Sequence, residues 1–128
     1  MDIITILKII TALGIFNVWI LRYNKATEFR GGQAQNLKEE FETYGLKLWS
    51  MFIIGGIKIS ISILFIAGLF TQKLTLLNYS DLYGAGIMSI IMIGAILMHL
   101  KVNDPMKKSI PAITMLTMYS IIFLNYFL

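Results

Sequence analysis

Apolar residues along this chain gather into four long runs, and the polar residues fall mainly in the stretches between them. The runs are "IITILKIITALGIFNVWIL" (3 to 21), "LWSMFIIGGIKISISILFIAGLF" (48 to 70), "LYGAGIMSIIMIGAILMHL" (82 to 100) and "IPAITMLTMYSIIFLNYFL" (110 to 128). Each has at least 19 residues, and a helix rising about 1.5 Å per residue needs about 20 to cross a hydrocarbon core about 30 Å thick. The pattern predicts an all-α fold, an integral membrane four-helix transmembrane bundle forming a single domain over residues 1–128.

The longest polar stretch, "RYNKATEFRGGQAQNLKEEFETYGLK" (22 to 47), has structure of its own. Gly31 and Gly32 break it, and Asn36 followed three residues later by Glu39 has the form of a capping box. Leu37, Phe41, Tyr44 and Leu48 then recur at helical spacing, which predicts a short amphipathic helix along the membrane interface between helices 1 and 2. In "NDPMKKSIP", Asp104 before Pro105 resembles an N-cap with a first-turn proline, and Pro111 sits where the fourth helix begins.

Composition agrees with the pattern: 57% of residues are hydrophobic and 14% charged, with a mean hydropathy of +0.75, whereas soluble domains carry about a quarter charged residues. The first run begins "MDIIT", acidic and without a small-residue cleavage site, so it is expected to stay as helix 1. With no cysteine the chain forms no disulfide and runs no thiol chemistry, so a redox role would borrow a cofactor or a partner. A formal charge of +4 could suggest nucleic acid, but the cations sit in short loops, and no nucleic-acid partner is expected.

Those loops set an expected orientation. Four spans put loops 22 to 47 and 101 to 109 on one side, with Arg22, Lys25, Arg30, Lys38, Lys47, Lys101, Lys107 and Lys108. The other side holds Lys73, and Lys8 if it reaches that surface. An excess of Lys and Arg marks the cytoplasmic face, so the expectation is an inner-membrane protein with both termini in the periplasm. The expected partners are the lipid bilayer and other membrane subunits or further copies of the chain.

Lys58 lies about ten residues into the second run, where a charge costs at least about 2.5 kcal/mol. Its stem tilts toward the cytoplasmic end and its ammonium can climb about one turn. His99 and Asn17, near the same end of helices 3 and 1, join it in one polar layer, with Glu39, Glu40 and Glu42 as expected charge partners and Asp104 as a further one. Gly55, Lys58 and Ser62 share one face of helix 2, and Gly84, Ala95 and His99 one stripe of helix 3, where small residues allow close approach. Thr114, Thr117 and Asn125 share a face of helix 4 that could join this interior. Lys8 is expected to snorkel outward, and Trp19, Trp49 and Tyr44 to form an interfacial aromatic belt. Met88, Met92 and Met98 are expected to pack rather than ligate haem, and no second His accompanies His99 at metal-ligand spacing.

The stretches "NVWILRYNKATEFRGG", "FETYGL", "GGIK" and "GAGIMSIIMIGAILMHL", followed by "DP" and "IPA", resemble the DoxX-like family of small four-helix membrane proteins. The resemblance covers most of the chain. It implies Lys58 and His99 as a polar pair, together with the loop of Arg30, Gly31 and Gly32. It also implies relatives associated with a terminal oxidase, thiosulfate to quinone oxidoreduction, oxidative-stress complexes or membrane-protein assembly. Three functions stay open: an accessory subunit of a redox or respiratory assembly whose polar layer contacts a quinone or a partner, a small oligomeric transporter using Lys58, and a structural assembly factor. The chain is expected to hold no cofactor by itself, a quinone excepted, and a catalytic activity is neither implied nor excluded.

Overall fold

The computed structural model describes residues 2–71 and 75–128. It contains α1 (Ile3–Phe16) continued by a π-turn (Asn17–Leu21), α2 (Leu37–Thr43), α3 (Leu48–Phe70), α4 (Thr75–Lys101), a 3-10 turn (Met106–Ser109) and α5 (Ile110–Asn125). No strand occurs among the described residues. Among the described residues three segments are long and apolar enough to cross a membrane, namely Ile3–Leu21, Leu48–Phe70 and Asp81–Lys101. α5, with 16 residues, reaches about 24 Å, short of a full crossing. α4 starts earlier than the sequence pattern implies; Lys73, assigned above to the outer loop, lies outside the described residues.

Each helix end has a local cause. Asp2 caps α1 by accepting from the Thr5 amide at 2.8 Å, and Asn36 caps α2 by accepting from Glu39 N–H at 2.8 Å. The Asn36 side-chain amide donates in return to the Glu39 carboxylate at 2.9 Å, so the expected capping box closes through side chains rather than through the Asn36 backbone N–H. α2 ends in a Schellman motif: Gly45 takes φ +79, its amide bonds to Glu42 O, and Leu46 N–H reaches Phe41 O. α4 ends in the same way, with Asn103 at φ +58, its amide on Leu100 O and Asp104 N–H on His99 O. Asp104 is therefore not the N-cap that its place before Pro105 suggested. Pro105 is extended, the next turn starts at Met106, and the Asp104 side chain is left to turn back over α4.

α1 packs against α3 and α5, and α4 against the same two helices, which closes a four-helix ring. Leu7, Ile15, Phe65, Met88, Tyr119 and Ile122 fill its centre. Glycines set the close approaches. A Cβ on Gly84 would stand 3.0 Å from Ile61, and one on Gly55 would lie 2.5 Å from the Trp19 ring. α2 lies over one end of this ring, with Leu37 and Phe41 packed on Met51, Trp19 and Ile54. Leu48, assigned above to the apolar face of α2, instead begins α3 and is exposed, because Gly45 has already turned the chain.

Two expected side-chain placements are corrected. Thr114, Thr117 and Asn125 are exposed, and α5 turns Tyr119 and Ile122 to the core instead. The two threonine hydroxyls donate to Ile110 O and Ile113 O at 2.9 Å, so they need no interior partner. Lys8 does not snorkel. It is buried to 7% exposure, its ammonium lies 2.8 Å from Asp81 Oδ1 and 5.6 Å from the centre of the Phe65 ring, and the ion pair spans opposite corners of the ring. Asp81 precedes the third apolar run by one residue, so its carboxylate was assigned to a loop.

Removing one member of such a pair strands the other charge. Lys8→Met or Asp81→Asn is expected to cost about 2–3 kcal/mol, below the range for a fully buried pair because the Asp81 side chain is 28% exposed. Lys8→Met combined with Asp81→Leu should restore most of the loss, as read by SDS unfolding in mixed micelles. Single variants as stable as the parent protein would refute a structural role for the pair.

Candidate functional site

The end of the bundle that carries α2 is held together by two carboxylates. Loop 22–36 passes over the helix ends, and at its middle the Gly31 amide donates to Glu40 Oε2 at 2.8 Å while the Gly32 amide donates to Asp104 Oδ1 at 3.0 Å. Gly31 lies flat on Tyr44, where a Cβ would come within 2.5 Å of the ring, and Gly32 has φ +55. Both positions require glycine, one for space and one for backbone conformation.

Each carboxylate gathers further donors. Glu40 also accepts from Arg30 Nη1 at 3.2 Å and from the Tyr44 hydroxyl at 2.9 Å. Arg30 is buried and closes the loop on itself, donating to the carbonyls of Arg22 (2.6 Å) and Lys25 (3.2 Å). Asp104 Oδ2 lies 2.7 Å from His99 Nδ1, and Lys108 Nζ stands 3.8 Å from Oδ1 while donating to Gly32 O at 2.6 Å. The Schellman motif of α4 builds this contact, since it places residue C″, Asp104, over residue C3, His99. Lys101 adds a bond to Tyr44 O at 2.8 Å.

Electrostatics follow from these partners. Burial raises the Asp104 carboxyl, but the His99 ring, the Gly32 amide and the Lys108 ammonium more than offset it and hold it below the usual carboxylate range. As an ionised acceptor it requires the proton of His99 on Nδ1. Burial first and Glu40 second push the Tyr44 phenol far above its ordinary value, so its hydroxyl remains protonated and lies 3.4 Å from His99 Nε2. His99 Nδ1 is thus taken by Asp104, while Nε2 faces a Tyr44 oxygen whose one proton is already given to Glu40.

Beneath this network lies a cavity of about 660 Å³ whose apolar wall includes Ile15, Val18, Ile54, Ile91, Met92 and Met115. Lys58, Asn17, Arg22, Arg30, Glu40, Tyr44 and His99 line its polar end. Lys58 meets none of the carboxylates expected for it. Glu40 is taken by Arg30, Glu39 caps α2, Glu42 is exposed and Asp104 holds His99; among the described residues no carboxylate lies within 4 Å of Lys58. Its ammonium sits instead 4.9 Å from the centre of the Trp19 ring. The π-turn, closed by Arg22 N–H to Asn17 O at 2.8 Å, sets Trp19 into the niche left by Gly55, one turn before Lys58. Asn17 has no hydrogen-bond partner for its side chain among the described residues. The candidates therefore divide: Arg30, Glu40 and His99, joined by Tyr44 and Asp104, bind one another, whereas Lys58 and Asn17 face the cavity with donors to spare.

Trp19 and Tyr44 had been assigned to an aromatic belt, and only Trp49 is as exposed as that role asks. Tyr44 follows Glu40 by four residues, a spacing that marks a shared helix face. For Trp19 the sequence holds no signal, because nothing in "NVWIL" announces a π-turn.

Because the Asp104 carboxyl is held low in the folded chain, its contribution is complete above the unfolded value of about 4 and is lost as pH falls below it. Asp104→Asn should lower stability by about 2–4 kcal/mol at pH 7 and shrink the acid-side fall in thermal midpoint below pH about 4. A parent-like midpoint across that range would remove Asp104 from its place as a clamp.

A family model described as the DoxX-like family matches residues 23–121. The match includes Arg30, Glu40, Tyr44, Lys58, His99 and Asp104 and leaves out α1 with Asn17, Trp19 and Arg22. No curated protein and no solved structure matches the chain. With long apolar helices and a family match over most of its length, the chain belongs to the DoxX-like family and is a membrane protein.

Proposed function

We propose that this chain is an accessory subunit of a redox assembly in the inner membrane, and that its cavity holds the carbonyl head of a quinone-class amphiphile. The observation that carries this reading is Lys58, a cation at the polar end of an apolar-walled cavity of about 660 Å³, with an aromatic ring as its neighbour and, among the described residues, no carboxylate within 4 Å. A cavity of this size suits a small ligand. Lys58 and Asn17 supply donors for a carbonyl oxygen, and the apolar wall suits a ring and the start of an isoprenoid tail. Arg30, Glu40, Tyr44, His99 and Asp104 fix the polar end rather than touch the ligand. A bound quinone would supply the electron chemistry, and this chain would position its head and exclude water.

In this reading all four long helices cross the bilayer, with α5 lengthened by the turns at its two ends. Loops 22–47 and 102–109 bond to one another, which supports one common basic end, and the excess of Lys and Arg there supports a cytoplasmic orientation with both termini outside. The transporter reading needs a path between copies. Between the cavity and the Lys8–Asp81 pair the core residues Phe65, Ala85, Met88, Tyr119 and Ile122 have at most 1% exposure, which leaves no path through one copy.

Quinone binding is read from tryptophan quenching. In a Trp49→Phe background Trp19 is the sole tryptophan, and decylubiquinone added to the protein in detergent should quench it saturably. Lys58→Met should weaken binding about tenfold or more, the value of a hydrogen bond from a charged donor. Absence of saturable quenching, or unchanged affinity in a folded Lys58→Met protein, would sink the quinone reading. The assembly is tested by native mass spectrometry of protein extracted from its own membranes: stoichiometric partner subunits are expected, and a homo-oligomer alone would refute an accessory role.

A further inference from the structure

Four cations and two carboxylates line the cavity: Arg22, Arg30, Lys58 and Lys108 against Glu28 and Glu40. Most are already matched. Arg30 binds Glu40, Lys108 lies beside Asp104, and Glu28 pairs with Lys107 at 2.6 Å. Arg22, which is exposed, and Lys58 have no carboxylate within 4 Å among the described residues, and although Glu40 acts on Lys58 from farther off, cations outnumber carboxylates on the cavity wall.

The backbone brings the Arg22 side chain to this place. An α-helix would set residues 17 and 22 about 140° apart around its axis. The π-turn closes from residue 22 back to residue 17 and stacks Asn17 and Arg22 one above the other, and both line the cavity. The Arg22 carbonyl is held by Arg30 at 2.6 Å while its guanidinium makes no bond to protein among the described residues. π-turns of this kind often mark functional sites.

We propose that Arg22 is a specificity-determining residue of this cavity and that the preferred ligand is acidic, its head joining a carbonyl to an ionised oxygen, as in a 2-hydroxy-1,4-naphthoquinone. The proposal rests on the quinone reading and adds the charge of the head. Lys58 and Asn17 address the carbonyl, and Arg22, at the polar mouth, addresses the anion with a planar, permanently charged fork. Among the described residues the carboxylates on the cavity wall are Glu40, bound to the buried Arg30, and Glu28, which reaches out to Lys107 in an exposed pair.

The test compares two probes with the same alkyl tail, a 2-hydroxy-3-alkyl-1,4-naphthoquinone and its 2-methoxy ether, by Trp19 quenching at pH 7.5 in neutral detergent in the Trp49→Phe background. The hydroxy compound, ionised at this pH, should bind about tenfold tighter or more. Arg22→Gln should bring the two within about twofold by weakening the acidic probe alone, Arg22→Lys should restore part of the preference, and Lys58→Met should weaken both. Equal binding of the two probes by the parent protein, or a preference that survives Arg22→Gln, would overturn the proposal while leaving the quinone reading intact. Saturable quenching by neither probe would overturn both.

Discussion

Two carboxylates gripping two consecutive amides hold the polar end of this protein together. Glu40 takes Gly31 N–H and Asp104 takes Gly32 N–H, and these contacts join α2 and the α4–α5 connection through a loop that has no regular structure of its own. A bare backbone segment over a cavity would leave its amides short of partners, which is costly wherever water is excluded. Here each amide meets an ionised acceptor, and each acceptor is oriented by another element: Glu40 by Tyr44 and Arg30, Asp104 by His99 and Lys108. Because the members are mutually satisfied, the network is rigid in a way a half-satisfied one would not be.

The same contacts decide the charge of the cavity. Glu40 and Asp104 are taken by the loop that covers them, and the Lys58 ammonium sits against a tryptophan face. At the other end of the bundle the choice is reversed. Lys8 meets Asp81 directly, beside the core residues Leu7 and Phe65. Two lysines in apolar helices thus have different neighbours, one a carboxylate and the other an aromatic ring. Lys8 is buried and Lys58 half-buried, and the nearest carboxylate lies within an ion-pair distance of Lys8 alone.

Much of the architecture was legible in the sequence. Long apolar runs fixed the helices, the Asn36 and Glu39 spacing fixed the start of α2, and the polar layer of Asn17, Lys58 and His99 was found because side chains tilt toward helix N-termini and three helices share one end. What stayed hidden depended on backbone choices that composition does not encode. Asn103 in the left-handed region turns Asp104 over His99, whereas the same "NDP" also fits an N-cap. Asp81 stood one residue beyond the apolar run, and α4 extends past it, so the partner of Lys8 was concealed by a helix boundary. Glu40, offered as a partner for Lys58, is drawn to Arg30 and to an amide, because loop closure satisfies three donors where a lysine would satisfy one.

The π-turn joins these strands of the argument. A bulge in a helix sacrifices regular hydrogen-bond geometry and is kept where the displaced side chains gain more than the turn loses. In this chain it seats Trp19 in the Gly55 niche, brings its face under Lys58, and stacks Asn17 with Arg22 along the cavity. Without the bulge, the residues after Phe16 would rotate by about 100° relative to those before, and Trp19 would leave Gly55. The ring that shields Lys58 and the free donors beside it are therefore consequences of one extra residue in α1. Gly55 completes the arrangement from the other side, since any side chain there would meet the ring at 2.5 Å. A niche and a bulge on adjacent helices are thus matched to each other, and together they set an aromatic face against a lysine that has no carboxylate within 4 Å among the described residues.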